Sequence, residues 1–337
     1  MSDHSCRPAL VADIGGTNAR FALADVARPQ PLLEDSIKRY PVADFPTLEA
    51  AARQYLEATG ESPRQAVFAV AGHIQDETVH ATNSPWQISA ARMRQTLDLE
   101  KAHLINDFAA QSLCLPLLGV TDSVRLGAPA IPVVGAQISQ TFAVIGPGTG
   151  LGVGALLLRE GRFHALETEG GHAGFAPDSP EEIEILRYLA ARFGHVSNER
   201  LISGEGLSLL HQSLAAIADT QVEVLAPEQI TQYANEGSDA LCVRTVEHFC
   251  AIFGAVAGDA VLSLGGWDGA FLAGGLPPRL LPWLESGAFR QRFESKGRLT
   301  DAMRRTPICV ITHPHAGLLG AAASAVLMRG GSLLTSA

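Results

Sequence analysis

Apolar and polar positions along this 337-residue chain follow two periods in turn, one suited to strands and one to helices. Residues 9 to 25 read as strand, turn, strand. "ALVADI" is an apolar run, "GGTN" is turn chemistry, and "ARFALAD" alternates small or polar with apolar side chains. The second run matters, because a dinucleotide-binding fingerprint continues from its glycines into a helix instead. Asp13 therefore stands at the tip of a predicted hairpin. Next, "TLEAAARQYLEAT" has apolar positions at helical spacing and stops at Gly60, and "AVFAVAG" reads as a buried strand. "SAARMRQTLDL" predicts another helix, followed by a strand "AHLIND" that terminates on a second carboxylate, Asp107.

Near residue 142 the opening pattern returns. "FAVIGPGTGLGVGALLL" is again apolar run, glycine-rich turn, apolar run, a weak internal repeat that implies two related α/β domains facing one another. In "SPEEIEILRYLAARFG", Ser179 can cap a helix, Pro180 suits its first turn and Gly194 can stop it. A long helix through "RTVEHFCAIFGAVAGDAVLSLG", a strand "GAFLAGG" and a closing strand and helix in "ICVITHPHAGLLGAAASAVLM" follow. The boundary falls between Pro116 and Pro132. The division expected is a small α/β domain, residues 1–118 with 314–337, and a large α/β domain, residues 119–313.

Apolar residues make up 47% and charged residues 18%, a balance that suits a folded globular chain. With 25 Lys and Arg against 35 Asp and Glu the formal charge is −10, which disfavours nucleic acid or an anionic membrane as a partner. Any bound anion must therefore be held by local geometry. The five cysteines (Cys6, Cys114, Cys242, Cys250, Cys309) form no C-x-x-C pair and read as reduced thiols. No basic segment followed by a long apolar core opens the chain, and the most apolar stretches (255–276 and 318–328) are short or broken by Asp259 and Asp268. A cytoplasmic location is expected.

A glycine-rich hairpin lets consecutive backbone N–H groups converge on an anion, because without Cβ the chain can adopt φ > 0 and approach closely. Phosphate fits such a nest. An acid beside it, as Asp13 is, repels phosphate unless a divalent cation lies between. "IGGTN" alone also fits a plain tight turn. In "GPGTGLGVG", however, glycine falls at 146, 148, 150, 152 and 154, more than one turn needs, and the stretch is neither a Walker A loop nor a strict G-x-G-x-x-G. Two such hairpins can grip two phosphates of one nucleotide. Gly274 and Gly275 in "FLAGGLPPRL" offer a further close approach for an adenine and ribose, although this stretch also fits a strand-to-helix turn.

Asp107, after Asn106, is the candidate general base, since a carboxylate at the carboxyl end of a strand opens onto the ligand crevice of α/β sheets. It equally suits a helix cap before "FAAQSLCL". "LETEGGHAGFAP" brings Glu169 and His172, and "HVSNERLISG" brings Glu199. Carboxylates and imidazole chelate vicinal sugar hydroxyls. No second His or Cys stands at metal-ligand spacing from His172, and His313 and His315 read as loop residues without a role.

Together these motifs resemble the bacterial glucokinases of the hexokinase group, within the sugar kinase, actin and Hsp70 superfamily. Eight collinear stretches carry the resemblance: "DIGGTNARFAL", "TNSPW", "INDFAA", "GPGTGLGVG", "EGGHAGFAP", "GHVSNERLISGEGL", "FLAGG" and "PHAGLLGAA". The resemblance implies a two-domain ribonuclease H-like (actin-like ATPase) fold, each domain a mixed five-stranded sheet flanked by helices, closing over a cleft. It implies ATP and Mg2+ as cofactors, glucose as the acceptor of a phosphoryl group at its 6-hydroxyl, and a homodimer. Asp13, Gly15, Gly16, Thr17 and Asn18 match the first phosphate hairpin, with Asp13 toward Mg2+, and Gly148, Thr149 and Gly150 match the second. Gly274 and Gly275 match the adenosine contact. Asn106, Asp107, Glu169, His172 and Glu199 match the glucose-binding set with Asp107 as base, and Thr82 and Asn83 border the sugar.

Two positions depart from the family's pattern: His73 stands where proline is usual and Gly174 where aspartate is usual before Phe175. The chain also lacks the cysteines that give related sugar kinases a zinc site, with none between Gly174 and Cys242. The competing reading is a catalytically weak sugar sensor on the same scaffold, which would lack Asp107 or a phosphate hairpin. A DNA-binding version would need a basic arm, and only a dozen residues precede Asp13. An actin-like ATPase without a sugar leaves the "EGGH" cluster unexplained.

Overall fold

The computed structural model describes residues 7–80, 84–127, 129–130 and 133–334. Strands β1 (Ala9–Ile14), β2 (Asn18–Ala24) and β3 (Leu32–Pro41) form an antiparallel meander. Helix α1 (Leu48–Thr59) starts where the Thr47 hydroxyl accepts the Ala50 N–H and ends at Gly60 in the left-handed region, as its sequence signals require. Strand β4 (Gln65–Val70) returns parallel to β1. The short β5 (Ile74–Gln75), β6 (Thr78–His80) and β7 (Gln87–Ser89) make a small separate sheet that the hydrophobic pattern does not predict. Helix α2 (Ala90–Thr96) leads to β8 (Lys101–Asn106), parallel to β4, and to α3 (Asp107–Leu113).

The second half opens with β9 (Ser123–Arg125), then the meander β10 (Ser139–Pro147), β11 (Leu151–Arg159) and β12 (Arg162–Thr168). Helices α4 (Pro180–Phe193), α5 (Asn198–Leu201), α6 (Gly204–Ile217), α7 (Pro227–Glu236) and α8 (Ala240–Leu264) precede β13 (Gly269–Leu272). After α9 (Leu281–Glu285), α10 (Ala288–Glu294) and α11 (Thr300–Arg305) come β14 (Ile308–Ile311) and α12 (Ala316–Met328).

The strand orders are β3-β2-β1-β4-β8 and β12-β11-β10-β13-β14-β9. In both sheets the first two pairings are antiparallel and the next two parallel, so the repeat seen in the glycine hairpins is a repeat of whole sheets. The expectation of five strands in each half needs correction: β9 pairs antiparallel with β14 and adds a sixth to the second sheet.

Three apolar cores follow from this layering. Leu10, Ala12 and Ile14 of β1 face α1 and its neighbours, with Tyr55 and Trp86. Ala143 and Ile145 of β10 face the helices of the second half. The alternate positions of the same strands, Val11 and Val144, face a middle core built on α3 and α12, which lie between the two sheets. Burial on both faces is why β1 and β10 read as continuous apolar runs. Helix α8 is long and apolar enough to cross a membrane, yet its apolar face belongs to the second core. Cys114, Cys242, Cys250 and Cys309 are buried free thiols, while Cys6 lies outside the described residues.

Candidate active site

The hairpin register sets Arg20 opposite Asp13, and Arg20 Nη1 donates to Asp13 Oδ2 at 3.1 Å. Burial raises the Asp13 pKa, with Arg20 and His315 acting against it. Gly317, in the first turn of α12, packs on this carboxyl so closely that a Cβ there would stand 2.9 Å from Asp13 Cγ. The tip is tied by the Gly15 N–H donating to the Asn18 carbonyl at 3.0 Å and the Val42 N–H donating to the Thr17 carbonyl at 2.9 Å. Gly16 and Thr17 follow Gly15 along the tip, and Thr17 is exposed. Asn18 Oδ1 accepts from Arg39 Nε at 2.7 Å, so that oxygen serves the β2–β3 pair.

Asp107 is not the end of a strand, as the sequence suggested, but the first residue of α3. Asn106 is the cap, its Oδ1 accepting the N–H groups of Phe108 at 2.8 Å and Ala109 at 3.3 Å. The Phe108 N–H is shared, donating also to Asp107 Oδ1 at 3.0 Å. Burial, then the charge of Asp13, push the Asp107 pKa up to about 6, against hydrogen bonds from the amides of Phe108 and Asp107 itself; Glu169 adds a smaller push. The three carboxylates thus share one seam. Asn106 also spans it: its Nδ2 donates to the Gly72 carbonyl at 3.4 Å, and its N–H donates to Glu167 Oε1 at 3.3 Å on β12.

The second hairpin approaches Asp107 from the other sheet. A Cβ on Gly152 would collide with the Phe108 ring, so glycine there lets β11 lie against the start of α3. At its tip the Gly148 N–H donates to the Gly150 carbonyl at 2.8 Å, and Thr149 is exposed, as Thr17 is in the first hairpin. The expected left-handed backbone is absent from Gly15, Gly148 and Gly150. Close approach, not φ, selects glycine at 150, where a Cβ would strike Glu199. Gly274 does adopt φ 84° and lies against Pro147, where a Cβ would stand 2.7 Å from its carbonyl oxygen; Gly275 has open space beside it.

In the "EGGH" turn His172 stands between two acids, Nε2 3.8 Å from Glu169 Oε2 and Nδ1 3.9 Å from Glu199 Oε1. Those gaps are too long for direct hydrogen bonds and leave room for hydroxyl groups. All three side chains reach solvent. Thr82 and Asn83 lie outside the described residues.

Among the described residues no group of three or more His, Cys, Asp or Glu encloses a metal. Mg2+ needs no such cage, being held by one or two carboxylates completed by phosphate oxygens and water. Asp13 fits that role, since the Arg20 bond occupies Oδ2 and leaves Oδ1 to another partner. Sequence reasoning missed Arg20, Glu167, Gly317 and His315. Hairpin register would have found Arg20 opposite Asp13. His315, whose Nδ1 is buried without a partner among the described residues, reaches Asp13 only through the fold. A surface cavity of about 770 Å³ between the end of α1 and the α2–β8 turn mixes Arg53 and Arg64 with Glu57, Glu61 and Asp98, and includes none of these site residues.

The profile of the family described as Glucokinase matches residues 10–328. A protein named glucokinase from Stenotrophomonas maltophilia (strain R551-3) is 52% identical over 322 residues, 95% of this chain and 96% of that one. The structure of glucokinase from an Antarctic psychrotroph superposes with TM-score 0.83 at 35% identity, covering 94% of this chain and 98% of that one. A ROK family glucokinase from Streptomyces griseus, solved in complex with glucose and AMPPNP, shares the fold at TM-score 0.64 and 19% identity, covering 96% of this chain and 100% of that one. The duplicated sheets are thus those of the actin-like ATPase fold, and with a family profile spanning nearly its whole length this chain belongs to the glucokinase family.

Proposed function

We propose that this protein transfers the γ-phosphoryl group of ATP to the 6-hydroxyl of glucose, giving glucose 6-phosphate and ADP, the first step of glycolysis. The observation that carries the reading is Asp107, a carboxylate with a pKa of about 6 in the seam between the two glycine hairpins. At neutral pH it is largely ionised and still basic enough to take a proton in the transition state. As the sugar oxygen attacks, its proton passes to Asp107, the O–P bond forms, and the bond from phosphorus to the β,γ-bridging oxygen breaks with its electron pair leaving on ADP.

Glu169, His172 and Glu199, with Asn106 and with Thr82 and Asn83 at the border, orient the sugar ring. The tips Gly15-Gly16-Thr17-Asn18 and Gly148-Thr149-Gly150 hold the phosphates, and Gly274 and Gly275 border the adenosine. Asp13 would hold Mg2+, which when bound screens the phosphate charge from the two carboxylates. Residues 1–118 with 314–337 form the small domain and 119–313 the large one, a division supported by α12 packing on the first sheet and β9 pairing in the second. Approach of the two would exclude water that competes for the phosphoryl group. By family likeness we assign a cytoplasmic homodimer.

The test is a coupled assay over glucose, mannose, fructose, glucosamine and N-acetylglucosamine with ATP, ADP and polyphosphate as donors, on the wild type and Asp107→Ala. Glucose with ATP is expected to turn over, and the variant to lose about 100- to 10,000-fold in kcat with a smaller change in KM. Near-normal turnover by the variant would remove the base assignment. Activity on no sugar would favour the sensor.

A further inference from the structure

Leu151, the first residue of β11, lies between Glu199 and the turn that carries Glu169 and His172. Its N–H donates to Glu199 Oε2 at 2.8 Å. Its carbonyl oxygen lies against Gly171 of the "EGGH" turn, where any Cβ would collide with it. The preceding Gly150 also lies against Glu199 Oε2. The second oxygen of that carboxylate, Oε1, faces Nδ1 of His172 at 3.9 Å. One carboxylate therefore has one oxygen on the phosphate hairpin and the other in the sugar cluster.

The backbone around Glu199 repeats this arrangement. Toward the "EGGH" turn, the Phe175 N–H donates to the Val196 carbonyl and the Asn198 N–H to the Ala173 carbonyl, both at 2.9 Å. Toward the hairpin, the Gly204 N–H donates to the Gly148 carbonyl at 2.9 Å. Residues 196–204 thus form a strap fastened at one end to the backbone just after His172 and at the other to the phosphate tip.

We propose that Glu199 couples hexose binding to nucleotide binding. A sugar hydroxyl taken up at Oε1 fixes the carboxylate, and Oε2 then fixes the Leu151 amide and with it the 148–150 tip that receives phosphate. This rests on the kinase reading above. Coupling of this kind is reciprocal, so each ligand must tighten the other by the same factor.

Titration calorimetry of the Mg2+ complex of AMPPNP, with and without glucose, and of glucose with and without that complex, measures the factor. The wild type is expected to show about tenfold coupling in both directions, within the usual range for linked sites. In Gly150→Ala the added carbon displaces the carboxylate from the hairpin, and the factor should fall below about twofold, whatever the separate affinities become. A carboxylate that merely stiffens the loop would change affinities and leave that ratio alone. Should Gly150→Ala not fold, Glu199→Asp is one methylene too short to reach both partners and should lose the coupling equally. A wild-type factor near one, or an unchanged factor in the variant that folds, overturns the proposal while leaving the kinase reading intact. A wild type that binds no glucose overturns that reading and the coupling with it.

Discussion

At Asp107 stability and chemistry pull in opposite directions. Its pKa of about 6 lies above its ordinary 3.8, so the folded state holds the proton more tightly than the unfolded chain does. The stabilisation this carboxyl contributes is full below about pH 4 and is lost as pH rises through about 6. Asp107→Asn should therefore be more stable than the wild type at pH 8 by about 1–3 kcal/mol, with the gain shrinking toward pH 4. Calorimetric melting at several pH values measures this, and a gain independent of pH would contradict it. In the wild type, kcat/KM should rise with pH through about 6, as the base must be ionised. Asn106 and Asp107 are equally good cap residues by type, so their neighbouring letters could not say which one would cap and which would be left to the seam.

Among the elements, α3 and α12 decide how closely the two halves approach. Helix α12 is apolar all round, as a helix enclosed between two sheets must be. Its Gly320 rests on the Ala110 carbonyl of α3, where a Cβ would collide with backbone that cannot rotate away. Gly320→Ala should cost about 2 kcal/mol or more in urea unfolding, although alanine is the better helix former. A neutral or stabilising result would mean that the two helices can separate. Helix α4 was legible from its cap, its first-turn proline and its stop, α1 from its helical spacing and the stop Gly60, and α8 from the length of its apolar pattern, although its start at Ala240 and its cap Asp239 precede the stretch that the pattern marks. The strands β5, β6, β7 and β9 were not, since two or three residues are too few to establish a period of two.

For the whole molecule, the consequence of the middle core is cooperativity. Val11 and Ala69 of the first sheet and Val144 and Phe271 of the second share one apolar cluster with α3 and α12, so neither half can unfold without exposing part of the other. Trp86 belongs to the first outer core and Trp283 packs on the second. Single-tryptophan variants keeping one or the other should report the same denaturant midpoint and slope. Separate midpoints would show that the halves unfold independently. The duplication behind this arrangement was legible from "ADIGGTNARFAL" and "VIGPGTGLGVGALL", because in each an apolar strand, a glycine turn and a second strand are contiguous in the chain.

What the amino-acid order determined by itself was local: the periods of strands and helices, the cap Ser179, the stops Gly60 and Gly194, and the two glycine hairpins. Each depends on a handful of neighbouring residues and their backbone geometry. Only the tertiary structure decided that Asp13, Asp107 and Glu169 share one electrostatic environment, that Gly152 makes way for Phe108, and that Glu199 grips the Leu151 amide 48 residues away. Those meetings depend on strand pairing and on the α3–α12 layer, so no stretch of chain short enough to read by its pattern contains both partners.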